Sequence, residues 1–222
     1  MQYLTTSAQI SYFRNNGWIE FSDLLSKEEA SKALFSCEKI LHKRLSIPVT
    51  EIFHKDQKSL TMSARDLFRA DIFLAKIVKR RMFAQIASQL TDTSFIRLAF
   101  DQVFLATKEE NPFFSSQLPI EKHFCFQAPI GFLLVRLTDA KEETITSLPS
   151  KQGNAIFVHP EYPFDFNTLF SLSSQLFLLI GYADAKTQYI QNKEDLHTNS
   201  LKSLGYAFGD NLKEPMHPIV LH

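Results

Sequence analysis

Apolar residues recur at helical spacing up to about Leu90 and at strand spacing from Ser94 onward. Ile10 to Phe13 begin a short helix that stops at Asn15-Asn16-Gly17, because Asn and Gly tolerate positive φ. Trp18 to Phe21 mixes apolar and polar side chains as a half-buried strand does. Ser26 with Glu29 forms a capping box: the hydroxyl satisfies an orphan helix amide while the carboxylate reaches back. The helix it opens runs from Lys27 to about Leu45, with Ala30, Ala33, Leu34, Cys37, Ile40 and Leu41 on one face. Pro48 to Leu60 reads as a connection holding a short strand. Ala64 to Leu90 carries helical periodicity twice over, with a break near Asp71.

Phe95 to Leu105 runs apolar and is rich in the β-branched and aromatic residues that favour strands. A polar loop is expected from Lys108 to Gln117. Further strands are expected at Gly131–Leu137, Ala155–Val158 and Leu176–Tyr182, with a short additional one in Glu142–Ser147. After Ala183 the chain reads as polar and irregular. Helices first and strands later, with no βαβ alternation, predict an α+β domain in which helices buttress a mostly antiparallel sheet or barrel. The division expected within one domain is a helix-and-strand part at about 1–93, a barrel core at about 94–185 and an irregular segment at about 186–222.

Composition narrows the class. With 222 residues, 45% hydrophobic and 22% charged, the chain suits one globular domain. Its 21 Phe against a single Trp favour a ring-filled interior. Net charge is formally zero, and the densest basic cluster, Lys79-Arg80-Arg81, is expected on the solvated face of a helix from Phe73 to Leu90. No nucleic-acid partner is therefore expected. The apolar runs are too short to span a bilayer, the N-terminus is no secretory signal, and two distant cysteines suit a reduced compartment. A soluble, cytoplasmic protein is the expectation.

Candidate chemistry is sparse. There is no Gly-x-Ser-x-Gly elbow, no phosphate-binding glycine loop and no Cys-x-x-Cys. Cys37 is expected in the core. On one strand, His123 and Cys125 would face the same side as a base and nucleophile, though without a third orienting residue. His159-Pro160 reads as a strand end entering a turn. His197, His217 and His222 are expected in solvent.

Four stretches together resemble the phytanoyl-CoA dioxygenase-like branch of the Fe(II)/2-oxoglutarate oxygenases. They are Tyr12 to Ala30, Phe100 to Lys108, Lys122 to Cys125 ahead of the strand from Gly131, and Gly153 to Tyr182. The resemblance implies a double-stranded β-helix (jelly-roll-like) barrel buttressed by N-terminal helices. It also implies two His and one carboxylate on iron, and a basic residue for 2-oxoglutarate. On that pattern His123 matches the first ligand, Cys125 stands at the carboxylate and Phe164 at the second His. Leu176, or Gln175 after a one-residue slip, stands at the basic position.

The resemblance thus implies a degenerate member: a non-catalytic binding or interaction module with no cofactor, taking a small apolar ligand or a protein partner. The alternative is an active Fe(II)/2-oxoglutarate oxygenase with rearranged ligands, drawn from His123, His159 and either Asp165 or Glu121.

Overall fold

The computed structural model describes residues 4–106, 114, 118–139, 147–172 and 174–222. Helix α1 (Ser7–Asn16) opens on a capping box between Thr6 and Gln9 and ends at Gly17, where a φ of 75° turns the chain into strand β1 (Trp18–Phe21). Helix α2 (Lys27–Leu45) opens on the Ser26–Glu29 box, with both reciprocal hydrogen bonds formed at 3.1 and 3.0 Å. A cap of this kind stabilises a helix by about 1 kcal/mol.

Between Pro48 and Leu60 the chain is helical rather than extended. A 3-10 turn (Val49–His54) leads to α3 (Gln57–Ser63), and the Asp56 carboxylate accepts from the Ser59 amide at 2.9 Å. That local cap competes with the strand expected there. Next come α4 (Ile72–Val78), capped by Asp71, and α5 (Arg81–Thr91). Lys79-Arg80-Arg81 is therefore the joint between two helices, not part of one solvated face. Arg80 turns inward there, pairing with the Glu29 carboxylate and donating to the Leu24 carbonyl at 3.2 Å.

The strands β2 (Ile96–Ala106), β3 (Phe126–Gln127), β4 (Gly131–Arg136) and β5 (Ala155–Val158) follow. After α6 (Phe166–Ser171) come β6 (Gln175–Ala183), β7 (Gln188–Tyr189) and β8 (Ile219–Leu221). Six strands form one curled antiparallel sheet in the order β1-β5-β4-β6-β2-β8, and β3 pairs with β7. The segment expected to be irregular thus supplies two strands. The loop expected at Lys108–Gln117 and the strand at Glu142–Ser147 lie, apart from Phe114 and Ser147, outside the described residues.

The sheet is buried on both faces. One face packs on the helices through Leu133, Val135, Phe157, Leu176, Leu178 and Ile180. The other carries Phe100, Phe104, Phe132, Ile156, Phe177 and Leu179, covered by Phe124, Phe126, Phe164, Phe166 and Phe170. Pairing between β2 and β6 shifts between Leu98 and Phe100. Ile96 and Leu98 face the helices before this bulge, whereas Phe100 and Phe104 face the rings after it. One extra residue has re-aimed half the strand.

Gly153, at the entry to β5, adopts a φ of 84°, and a Cβ there would lie 2.2 Å from the Leu25 carbonyl oxygen. Only glycine lets these two backbones meet, and the Leu25 amide donates to the Gly153 carbonyl at 3.0 Å.

Candidate functional site

The ring-lined face of the sheet is where the resemblance would put the metal. His123 ends a short 3-10 helix (Ile120–His123) and is 1% exposed. Its imidazole lies 5.4 Å from the Phe114 ring and edge-on to Phe166 at 5.1 Å. Phe164 meets Phe166 edge-on at 4.8 Å, and Phe114 lies 4.5 Å from Phe166. Each such aromatic pair adds about 1 kcal/mol beyond the area it buries. His123 therefore sits in a cage of packed rings.

Asp165 and Cys125 are committed elsewhere. Asp165 caps α6, its carboxylate accepting from the Asn167 and Thr168 amides at 3.1 and 3.3 Å. His123 and Cys125 do not share a strand, since each lies outside a β element. The Cys125 amide donates to Asp195 at 2.8 Å, and burial pushes the thiol far up, so it stays protonated. A protonated thiol is neither a nucleophile nor a metal ligand.

His159 belongs to different surroundings. It follows β5, lies 6.0 Å from the Phe13 ring and accepts from the Glu161 amide at 3.3 Å. Glu121, which pairs with Lys122 at 2.9 Å, lines the same cleft as His159, together with Arg14, Ile130 and Glu161. The cleft has a volume of about 670 Å³ and lies between α1, the end of α5 and the start of β4. Glu121 and His159 thus line one cleft, which neither His123 nor Asp165 lines. Among the described residues no group of three or more His, Cys, Asp or Glu is arranged to hold a metal.

The strand register resolves the expected basic position. Leu176 faces the helices, so Gln175 faces the rings. Gln175 accepts from Arg136 at 2.9 Å and from the Thr138 hydroxyl at 2.6 Å. Arg136, opposite Phe177 on β4, is 4% exposed and also donates to the Pro149 carbonyl at 3.1 Å. Sequence reasoning missed this buried guanidinium. Its signal was an Arg closing an otherwise apolar strand.

A second buried polar cluster was also missed. Arg65 pairs with Asp195 at 2.8 Å and stacks over Phe100 and Phe124 at 4.8 and 5.3 Å. Asp195 also accepts from the His197 amide at 2.9 Å. Burial would raise the Asp195 carboxyl, but the Arg65 guanidinium outweighs it and holds the group ionised. His197 and His217, expected in solvent, are 7% and 1% exposed. They bond to the carbonyls of Thr61 at 3.0 Å and Ala99 at 2.8 Å, and burial pushes each pKa down to about 4. This cluster fastens the C-terminal segment across the ring-lined face.

No protein-family model matches the sequence, and no curated protein matches it. Solved structures do. The non-heme alpha-ketoglutarate-dependent epimerase SnoN from nogalamycin biosynthesis is 16% identical, with a TM-score of 0.65 over 96% of this chain and 97% of its own. The carbocyclase SnoK from the same biosynthesis, also non-heme and alpha-ketoglutarate-dependent, is 14% identical, with a TM-score of 0.66 over 97% and 96%. This chain has the fold of these non-heme enzymes. CT296 from Chlamydia trachomatis is 17% identical, with a TM-score of 0.53 over 83% of this chain and 99% of its own. At such identities the likeness carries architecture and not chemistry.

Proposed function

We propose that this chain is a non-catalytic binding protein on a degenerate double-stranded β-helix. One observation carries the reading: the candidate first ligand, His123, is enclosed by the rings of Phe114 and Phe166, with Phe164 packed behind. A facial iron site needs two imidazoles and a carboxylate converging on open positions. Among the described residues, the rings of Phe114, Phe164 and Phe166 pack here, the Cys125 thiol is protonated and Asp165 caps a helix. These residues do not fit Fe(II), and Arg136 is already held by Gln175 and Pro149. The binding role falls to the cleft of Glu121 and His159, whose mixed polar and apolar lining suits a small polar ligand better than the apolar one expected.

Anaerobic titration with Fe(II), followed by calorimetry and by metal content after gel filtration, tests the reading. Expected are no stoichiometric metal and no thermal shift with 2-oxoglutarate. Tight, stoichiometric Fe(II) that His123→Ala abolishes would establish the oxygenase instead.

A further inference from the structure

The chain has no net charge, yet four exposed lysines share one face of two neighbouring helices. Helices α2 and α4 lie side by side. The Lys32 ammonium stands 4.6 Å over the Phe73 ring, and Arg80, just beyond α4, reaches Glu29 near the start of α2. The two helices therefore run antiparallel. On α2, Lys32, Phe35 and Lys39 are spaced three, four and seven apart and share one outer stripe. On α4, Ile72 and Lys76 stand four apart, with Lys79 at the helix end. All six are exposed.

Two features stand out on this face. Ile72 is 79% exposed and Phe35 66%, among the most exposed large apolar side chains of the described residues. Both are set among lysines. Four carboxylates lie nearby: Glu28 on the α2 stripe, Glu29 neutralised by Arg80, Glu38 half-buried, and Asp71 occupied by the Leu74 amide at 2.9 Å. The cleft of Glu121 and His159 lies elsewhere, since no residue of α2 or α4 lines it.

We propose that the outer face of α2 and α4 docks on an anionic phospholipid bilayer. Charge complementarity selects the partner. Lysine ammoniums are compact point charges that suit a diffuse layer of phosphates and carboxylates, whereas arginine forks suit discrete partner carboxylates. Protruding apolar side chains such as Phe35 and Ile72 insert between headgroups. The lysine stems add apolar cover as their heads reach outward. This is peripheral attachment. Among the described residues no helix is long and apolar enough to cross a membrane.

Co-sedimentation with phosphatidylcholine vesicles, with and without phosphatidylserine, tests the proposal. The protein is expected to partition onto the phosphatidylserine vesicles alone and to be released by salt. Lys32→Gln/Lys76→Gln should weaken partitioning about 25-fold, at about fivefold per lysine. Phe35→Ser/Ile72→Ser should weaken it without changing the salt slope. All four positions are exposed, and thermal melts report whether the variants fold as the wild type does. Lys186→Gln/Lys193→Gln, between β6 and β7 and just after β7, removes the same charge elsewhere and should bind like the wild type. Absence of binding to phosphatidylserine vesicles would overturn the proposal, as would equal binding to phosphatidylcholine alone. An equal loss in the Lys186/Lys193 variant would reduce the effect to net charge and overturn the assigned face.

Discussion

Asp195→Ala would leave a guanidinium without its counter-charge inside the protein. The Arg65 and Asp195 side chains are 5% and 2% exposed. The same carboxylate accepts from the amides of Cys125 and His197, at 2.8 and 2.9 Å. Breaking a buried pair by removing one partner costs about 3–5 kcal/mol, because the remaining charge stays desolvated. Each orphaned amide adds about 1 kcal/mol or more, less where water enters the gap. The sum is about 5 kcal/mol, against a total stability of about 5–15 kcal/mol for a domain of this kind. Urea unfolding, followed by far-ultraviolet circular dichroism and by Trp18 fluorescence, should place the variant close to unfolding in buffer. Arg65→Met/Asp195→Leu removes both charges, leaves an apolar pair against Phe100 and Phe124, and should recover about 2 kcal/mol relative to Asp195→Ala. A single variant that loses less than about 1 kcal/mol, or a double variant less stable than the single one, would refute the clamp.

Acidification pulls in two directions. His197 and His217 titrate near 4 when folded and near 6.5 when unfolded, so their contribution is complete above pH 6.5 and is lost as pH falls toward 4. Burial, and then Asp66, pushes the Asp101 carboxyl from 3.8 to about 7, so its contribution is present at low pH and lost as pH rises through 7. Two histidines outweigh one aspartate, and stability should fall by roughly 1 kcal/mol between pH 7 and pH 5. The fall should be steeper in Asp101→Asn; a wild type that gains stability over this range contradicts the assignment. Gly153→Ala combines a left-handed backbone with a clash against the Leu25 carbonyl and should cost about 3 kcal/mol in a thermal or urea melt. A neutral result there would mean that the β5 entry relaxes freely.

Local chemistry was legible. The Ser26–Glu29 box acts over three residues, and the apolar spacing of α2 and β2 needs no distant partner, so the periodicity alone placed these elements. The Asp56 cap was equally local and was overlooked, which cost the α3 assignment. One-residue precision was not legible. Strand side chains alternate with period two, so choosing between Leu176 and Gln175 required the pairing of β6 with β2. The bulge after Leu98, which turns Phe100 toward the rings, likewise exists only in the pairing of β2 with β6.

The buried polar residues lay furthest from sequence reasoning. His197 and His217 sit in polar sequence, and their partners, Thr61 and Ala99, come from distant parts of the chain. Arg65 and Asp195 are 130 residues apart and are tolerated inside only because folding brings them to 2.8 Å. The sequence by itself determined most of the order of helices and strands along the chain. Tertiary structure alone decided that rings pack against His123, that Glu121 and His159 line one cleft, and that Arg136 lies inside. Those outcomes depend on pairing, register and desolvation between distant residues, and no local pattern encodes them.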